Sequence, residues 1–184
     1  MYKRHDLGRL DQDGYLWIKG RAKDIIIRSG ENIDPNLIEE VLAGHPAVAL
    51  SGAIGQPDAK TGEMPCVYVE LNENVSVVTE ELINFCKDKI SHRSAWPKYL
   101  EIVDELPKTA VGKIFKPDLR KKAITRIYDS ALSDANLDQR ILRIKEDKKL
   151  GLVAVLDAEK SENDEASISK VLGDYVVPWE WNNN

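Results

Sequence analysis

At 184 residues, 42% of them hydrophobic, the chain has apolar mass for one ordinary domain with a real core and an appendage. Its net charge of −5 argues against general nucleic-acid binding, and no run approaches the roughly 18 uncharged apolar residues of a membrane span. Cys66 and Cys86 stand in apolar runs with no second Cys or His at ligand spacing, so both read as buried thiols and no metal site is expected. No apolar signal core follows Met1, which makes the cytoplasm the expected compartment.

In chain order, residues 8–18 read as a hairpin, with Asp13-Gly14 supplying the positive φ angles of a tight turn and Tyr15, Trp17 and Ile18 favouring strand. Asp24 to Arg28 makes a short Ile-rich strand ended by Ser29-Gly30-Glu31-Asn32, a polar turn. A helix follows, with Asp34 as N-cap and Pro35 at its first position; Leu37, Ile38, Val41 and Leu42 form its inner face, and Gly44 and Pro46 stop it. Residues 47–55 and 65–71 are strand-like, joined by the turn-rich stretch Gln56 to Gly62. A second helix starts near Thr79, with Glu80 and Glu81 in its first turn and Lys87 and Lys89 in its last, the order a helix dipole favours. Tyr99 to Val103 is another strand. Pro117 opens a third helix whose Leu119, Ala123, Ile124 and Ile127 face inward, while Lys116, Arg120, Lys121, Lys122 and Arg126 largely face out. The order β-α-β-β-α-β-α predicts an α+β fold, a small mixed sheet packed by about three helices, with an N-terminal hairpin.

Beyond Ser130 the texture turns polar, a joint before two strand-like runs (Ile141 to Ile144, Leu152 to Leu156) and a helix around Glu165 to Leu172. These make a C-terminal α/β extension. Both halves run strand, turn, strand, acidic loop, helix, which raises a repeated supersecondary unit.

Two segments carry candidate chemistry. In Pro107-Lys108-Thr109-Ala110-Val111-Gly112-Lys113 a lysine follows a glycine, so backbone can approach a ligand at Gly112 while the ammonium reaches forward, an arrangement suited to phosphate. Read alone, the segment favours a surface turn before a solvated helix face. Gly20 to Glu39 is by itself a charged joint leading into a strand and a capped helix. His5, His45 and His92 have no nucleophile or carboxylate arrangement that suggests a triad, and read as structural.

Taken together with Asp6-Leu7-Gly8-Arg9-Leu10-Asp11, these motifs in this order resemble the adenylate-forming (AMP-binding) superfamily of acyl-CoA synthetases, luciferases and peptide-synthetase adenylation domains. The resemblance covers about residues 6–125: the end of that family's large domain, its hinge and its small C-terminal domain. The Gly30-Glu31-Asn32-Ile33 turn looks most like acyl-CoA and aryl-CoA synthetases. It implies a ligase that joins a carboxylate to AMP using ATP and magnesium, releases diphosphate, and hands the acyl group to CoA after the small domain rotates.

On this resemblance Lys113 is the catalytic lysine of adenylation, Asp6 and Arg21 contact the nucleotide ribose, Lys23 is the hinge, and Gly30 with Glu31 lines the CoA tunnel. Residues 1–22 then end the large domain, 23–130 form the lid, and 131–184 are an extension docked on it. One departure is Tyr2-Lys3-Arg4-His5-Asp6, where Arg4 and His5 replace the small pair of the family motif Tyr-x-Thr-Gly-Asp. No glycine-rich phosphate loop and no length for an acyl pocket are present. The resemblance therefore implies a domain inactive alone, partnered by a large N-terminal adenylating domain, with ATP, Mg and CoA belonging to the complete enzyme. Two other readings stand beside it: a stand-alone non-catalytic lid-like binding protein, and an acyl-AMP ligase serving a carrier protein.

Overall fold

A computed structural model describes residues 6–10, 12–21, 24–157 and 162–182, the description at 6–10, 16–21, 162 and 163 being of backbone. The described residues divide into two compact units, one within 1–55 and 64–116, the other within 56–63 and 117–184. The α+β class is as the sequence predicts.

In the first unit β1 (Asp6–Leu10) and β2 (Leu16–Arg21) pair antiparallel, with Leu10 opposite Leu16 around the Asp13-Gly14 turn. β3 (Ile26–Arg28) and β4 (Glu31–Ile33) form a second hairpin. This corrects the reading of Ser29 to Asn32 as a plain polar turn: only Ser29 and Gly30 turn, at φ 50° and 82°, and the chain returns at once as strand. Two successive positive φ angles make a type I′ turn, whose twist suits a two-residue hairpin. Ile26 and Ile33 are buried while Ile27 is exposed, the alternation of a strand with one face on a core.

α1 (Pro35–Ala43) begins as expected: the Asp34 carboxylate accepts the Asn36 N–H at 2.9 Å and Pro35 occupies the first turn. Ile38 and Leu42 are fully buried and Val41 packs beside them. Leu37, expected on that face, is exposed instead; it stands at the edge of the 38–41–42 stripe, about 40° of helix beyond Val41 and about 100° from Ile38. β5 (Val48–Asp58) and β6 (Gly62–Leu71) are longer than predicted, and the Gln56 to Gly62 connection shrinks to Ala59, Lys60 and Thr61. The cause is Asp58, whose carboxylate accepts the N–H groups of Lys60 (3.1 Å) and Thr61 (2.8 Å) and closes the turn locally. α2 (Thr79–Lys89) and β7 (Tyr99–Val103) lie where predicted, β7 running parallel to β6 in a sheet of order β4-β3-β6-β5. The core gathers Ile26, Ile38, Leu42, Val67, Leu82 and Leu100. Cys66 and Cys86 are fully buried, with no disulfide among the described residues, and burial pushes the Cys86 thiol up to about 11.

The second unit is built on α3 (Lys116–Asp134). The helix runs past Ser130 to Asp134, because Leu132 is fully buried and extends the apolar stripe of Ile124 and Tyr128, and the expected polar joint follows it at 135–140. The limit placed at residue 130 thus falls inside a helix. β8 (Ile141–Asp147) and β9 (Gly151–Leu156) pair antiparallel, α4 (Glu162–Leu172) follows, and β10 (Trp179–Trp181) lies parallel to β9. The Tyr128 hydroxyl donates to the Val177 carbonyl, its ring packs tilted against that of Tyr175, and burial raises its pKa.

The repeat raised by the sequence has a structural counterpart. α1-β5-β6-α2-β7 and α3-β8-β9-α4-β10 share one order, and in each the last strand runs parallel to the middle one. The hairpin turns match atom for atom in kind: Asp147 accepts from Lys149 N–H (2.7 Å) and Leu150 N–H (2.9 Å) as Asp58 does from Lys60 and Thr61, and Gly62 and Gly151 follow at φ 81° and 77°.

Candidate functional site

Lys113 stands at the far end of a miniature hairpin. The Gly112 N–H donates to the Thr109 carbonyl (2.8 Å), closing a β-turn over Ala110 and Val111, and the Thr109 N–H donates to the Lys113 carbonyl (2.7 Å). Gly112 sits at φ 78°, the left-handed residue that a three-residue hairpin needs after its turn. The Gly-Lys spacing thus has a mechanical reason: glycine reverses the chain so that the next residue leaves on the return strand. Below the turn, Phe115 N–H donates to the Pro107 carbonyl (2.7 Å) and Lys108 bridges to Ile114. The Lys113 N–H itself donates to the Thr109 hydroxyl (3.2 Å). Lys113 is exposed, and its ammonium has no partner among the described residues.

Two carboxylates hold the base of this loop. Glu70, at the end of β6 and only 19% exposed, accepts the Leu106 N–H (2.9 Å) and the Lys108 ammonium (3.1 and 3.3 Å). The Leu106 bond, with the Lys108 ammonium beside it, keeps the Glu70 carboxyl below the ordinary carboxylate range. On the other side Glu39 of α1 accepts the Ala53 N–H (2.7 Å) and the Lys116 ammonium (2.8 Å), three residues past Lys113. Neither acid was picked out from the sequence. The available signal was an acid inside the apolar run Cys66-Val67-Tyr68-Val69-Glu70-Leu71, where only a satisfied carboxylate is tolerated.

Gly30 and Glu31 are exposed at the β3–β4 turn. That hairpin is tied down by Arg28, whose guanidinium donates to the Ser94 carbonyl (2.7 Å) in the short 3-10 turn Arg93–Ala95. A Cβ on Gly30 would meet no atom within 4 Å, so within this chain the glycine is required by its φ and not by crowding.

Asp6 and Arg21 are brought opposite each other by the β1–β2 register. Lys23, with Arg4 and His5, lies outside the described residues. Lys113 and Gly30 stand on separate loops. On the basic face of α3, Lys116 pairs with Glu39 and Arg126 donates to Gln56 (2.7 Å), while Lys121 pairs with Asp118 (3.0 Å) at the surface and Lys122 is exposed, so the face is solvated in part. His45 is structural, its Nδ1 accepting the Ala47 N–H (3.2 Å) and its ring edge-on to Phe85. Among the described residues no group of three or more His, Cys, Asp or Glu could hold a metal, and no helix is long and apolar enough to cross a membrane.

Residues 37–113 match the family described as AMP-binding enzyme C-terminal domain. A marinolic acid–CoA ligase of a Pseudoalteromonas strain is 42% identical over 168 residues, 90% of this chain and 26% of that protein. A 2-succinylbenzoate–CoA ligase of Bacillus cereus is 41% identical over 116 residues, 63% of this chain and 23% of the relative. Among solved structures, the Bacillus subtilis o-succinylbenzoate CoA synthetase in complex with its acyl-adenylate intermediate is similar with a TM-score of 0.57 and 39% identity, over 63% of this chain and 23% of that one. The chain thus spans about a quarter of the length of these relatives, and the first match, over nine-tenths of it, necessarily reaches into the second unit.

Proposed function

We propose that this chain, whose residues 37–113 belong to the AMP-binding enzyme C-terminal domain family, is the lid of a cytoplasmic acyl-CoA synthetase and works with a large adenylating domain that binds ATP and the carboxylic acid. The observation that carries the reading is the Lys113 loop: an ammonium without a partner among the described residues, on a hydrogen-bonded turn, inside the matched domain. In the first half-reaction a carboxylate oxygen attacks the α-phosphorus of ATP and diphosphate leaves. Negative charge grows on the oxygens in transfer, and Lys113 stabilises it more in the transition state than in the ground state.

The second half-reaction forms the thioester. Rotation at Lys23 would bring the Ser29-Gly30 turn to the CoA thiol's path, where Gly30 and Glu31 line the tunnel and a side chain at Gly30 would stand in it. Asp6 and Arg21, opposed in the β1–β2 ladder, would reach the ribose. Magnesium would enter on the triphosphate.

The test uses the intact ligase with Lys113→Ala. Acyl-adenylate formation, followed as diphosphate exchange, is expected to fall by roughly a hundredfold or more, about 3 kcal/mol of transition-state stabilisation. Thioester formation from preformed acyl-adenylate should be nearly unchanged. A fall of less than about tenfold in the first step would remove Lys113 from the mechanism.

A further inference from the structure

We propose that Glu70 and Glu39 are positioning residues for the adenylation lysine, a pair of carboxylate anchors that holds the Lys113 loop in its working shape; the proposal rests on the function proposed for Lys113. Each anchor does two things with one side chain. Glu70 joins the end of β6 to both a backbone N–H (Leu106, 2.9 Å) and a side chain (Lys108, 3.1 Å) on the segment that enters the loop. Glu39 joins α1 to the backbone of β5 (Ala53 N–H, 2.7 Å) and to Lys116 (2.8 Å), where the chain leaves the loop. Lys113 lies between these two tethers on a segment whose other tip residue, Val111, is 80% exposed.

Without the carboxylate tethers the loop keeps its internal turn bonds, which fix its shape, and the buried Leu106 side chain at its entry, but loses the polar ties on both sides of Lys113. The consequence is kinetic. A lysine that must reach a transferring phosphoryl group gains its effect from placement, and a misplacement of about 1 Å from a change remote from the chemistry costs on the order of a hundredfold. Lys108 sharpens the point: its ammonium is five residues from Lys113, and Glu70 neutralises it and fixes it in place. The loop therefore offers one unengaged ammonium among its described residues instead of two.

The experiment pairs dynamics with half-reactions. In the 184-residue chain, Glu70→Ala should lower the backbone order parameters of Ala110, Val111 and Gly112 by ¹⁵N relaxation, while those of α2 stay as in the wild type. In the intact ligase the same change should cut kcat of acyl-adenylate formation about tenfold or more, with KM for ATP little altered and thioester formation from preformed acyl-adenylate unaffected. Glu70→Gln keeps an acceptor for the Leu106 N–H and should recover part of both losses, which also guards against an Ala variant that fails to fold. Glu39→Gln should act in the same direction. Unchanged loop order in Glu70→Ala, or equal losses in the two half-reactions, would overturn the proposal. So would a loosened loop with normal adenylation in an enzyme that Lys113→Ala disables. Should Lys113→Ala itself be harmless, the functional reading falls first and the anchors lose their role with it.

Discussion

The two αββαβ copies, residues 35–103 and 116–181, use the same sheet logic and differ in what their connections hold. The first is entered through the β3–β4 hairpin, with Gly30 at its tip, and left through the Lys113 loop. The second is entered directly from that loop, whose miniature hairpin leads straight into α3. In both, the helices and strands are set by apolar periodicity and by an Asp-closed turn. The scaffold can therefore be repeated without the chemistry. What distinguishes the copy bearing the candidate site is a pair of short turns at positive φ, each bonded back to the sheet or a neighbouring turn by a charged side chain.

The comparison is broken most forcefully at the cores. Leu42 and Leu132 are fully buried in separate clusters, so Leu42→Ala and Leu132→Ala should each cost about 2–5 kcal/mol. Hydrogen exchange on the 184-residue chain should show Leu132→Ala speeding exchange in β8 and β9 before β6 and β7. If both sets accelerate together, the copies do not have independent cores.

A smaller effect separates scaffold from chemistry. Gly30 (φ 82°) and Gly151 (φ 77°) occupy left-handed turn positions with open space around them, so alanine at either should cost about 1 kcal/mol of backbone strain, read from the denaturant midpoint. Only Gly30→Ala should also slow thioester formation in the intact ligase; equal rates for the two variants would remove the distinction drawn between the turns.

The smallest effect is in pH. The N–H groups of Leu150 and Lys149 hold the Asp147 carboxyl below its ordinary value, as the Leu106 N–H does for Glu70. A lowered folded pKa means that the stabilisation is complete above the ordinary carboxylate range and is lost as pH falls through the folded value. Thermal midpoints of wild type and Asp147→Asn should therefore differ by a constant amount at neutral pH and converge only below about pH 4. A difference that does not shrink on acidification would show that the Asp147 charge is not what closes the turn.

Much of this was legible in the chain. Asp34-Pro35 announces a helix start because capping is local, and α2 and β7 follow from charge order and β-branching in short windows. The Lys113 loop could be located, but its motif does not reveal the anchors: Glu70 meets Leu106 and Lys108 from 36 and 38 residues away, and Glu39 meets Lys116 from another helix. Pairings at that separation leave no periodic trace. β4 was missed because Glu31 and Asn32 are polar, and a two-residue turn leaves little room to see the strand behind it. α3 outran its predicted end because one buried side chain, Leu132, outweighs the polar residues around it. β10 is three residues long, two of them tryptophan, and its place is set by β9 and not by its own pattern.

The buried thiols of Cys66 and Cys86 have a practical consequence. With both enclosed and Cys86 shifted to about 11, the native chain presents little thiolate at neutral pH to an alkylating dye. A cysteine introduced at Val111, which is 80% exposed beside Lys113, would then be the preferred attachment point for a fluorophore. Thus labelled, the loop could serve as an optical reporter of the proposed lid closure against a chemically quiet background.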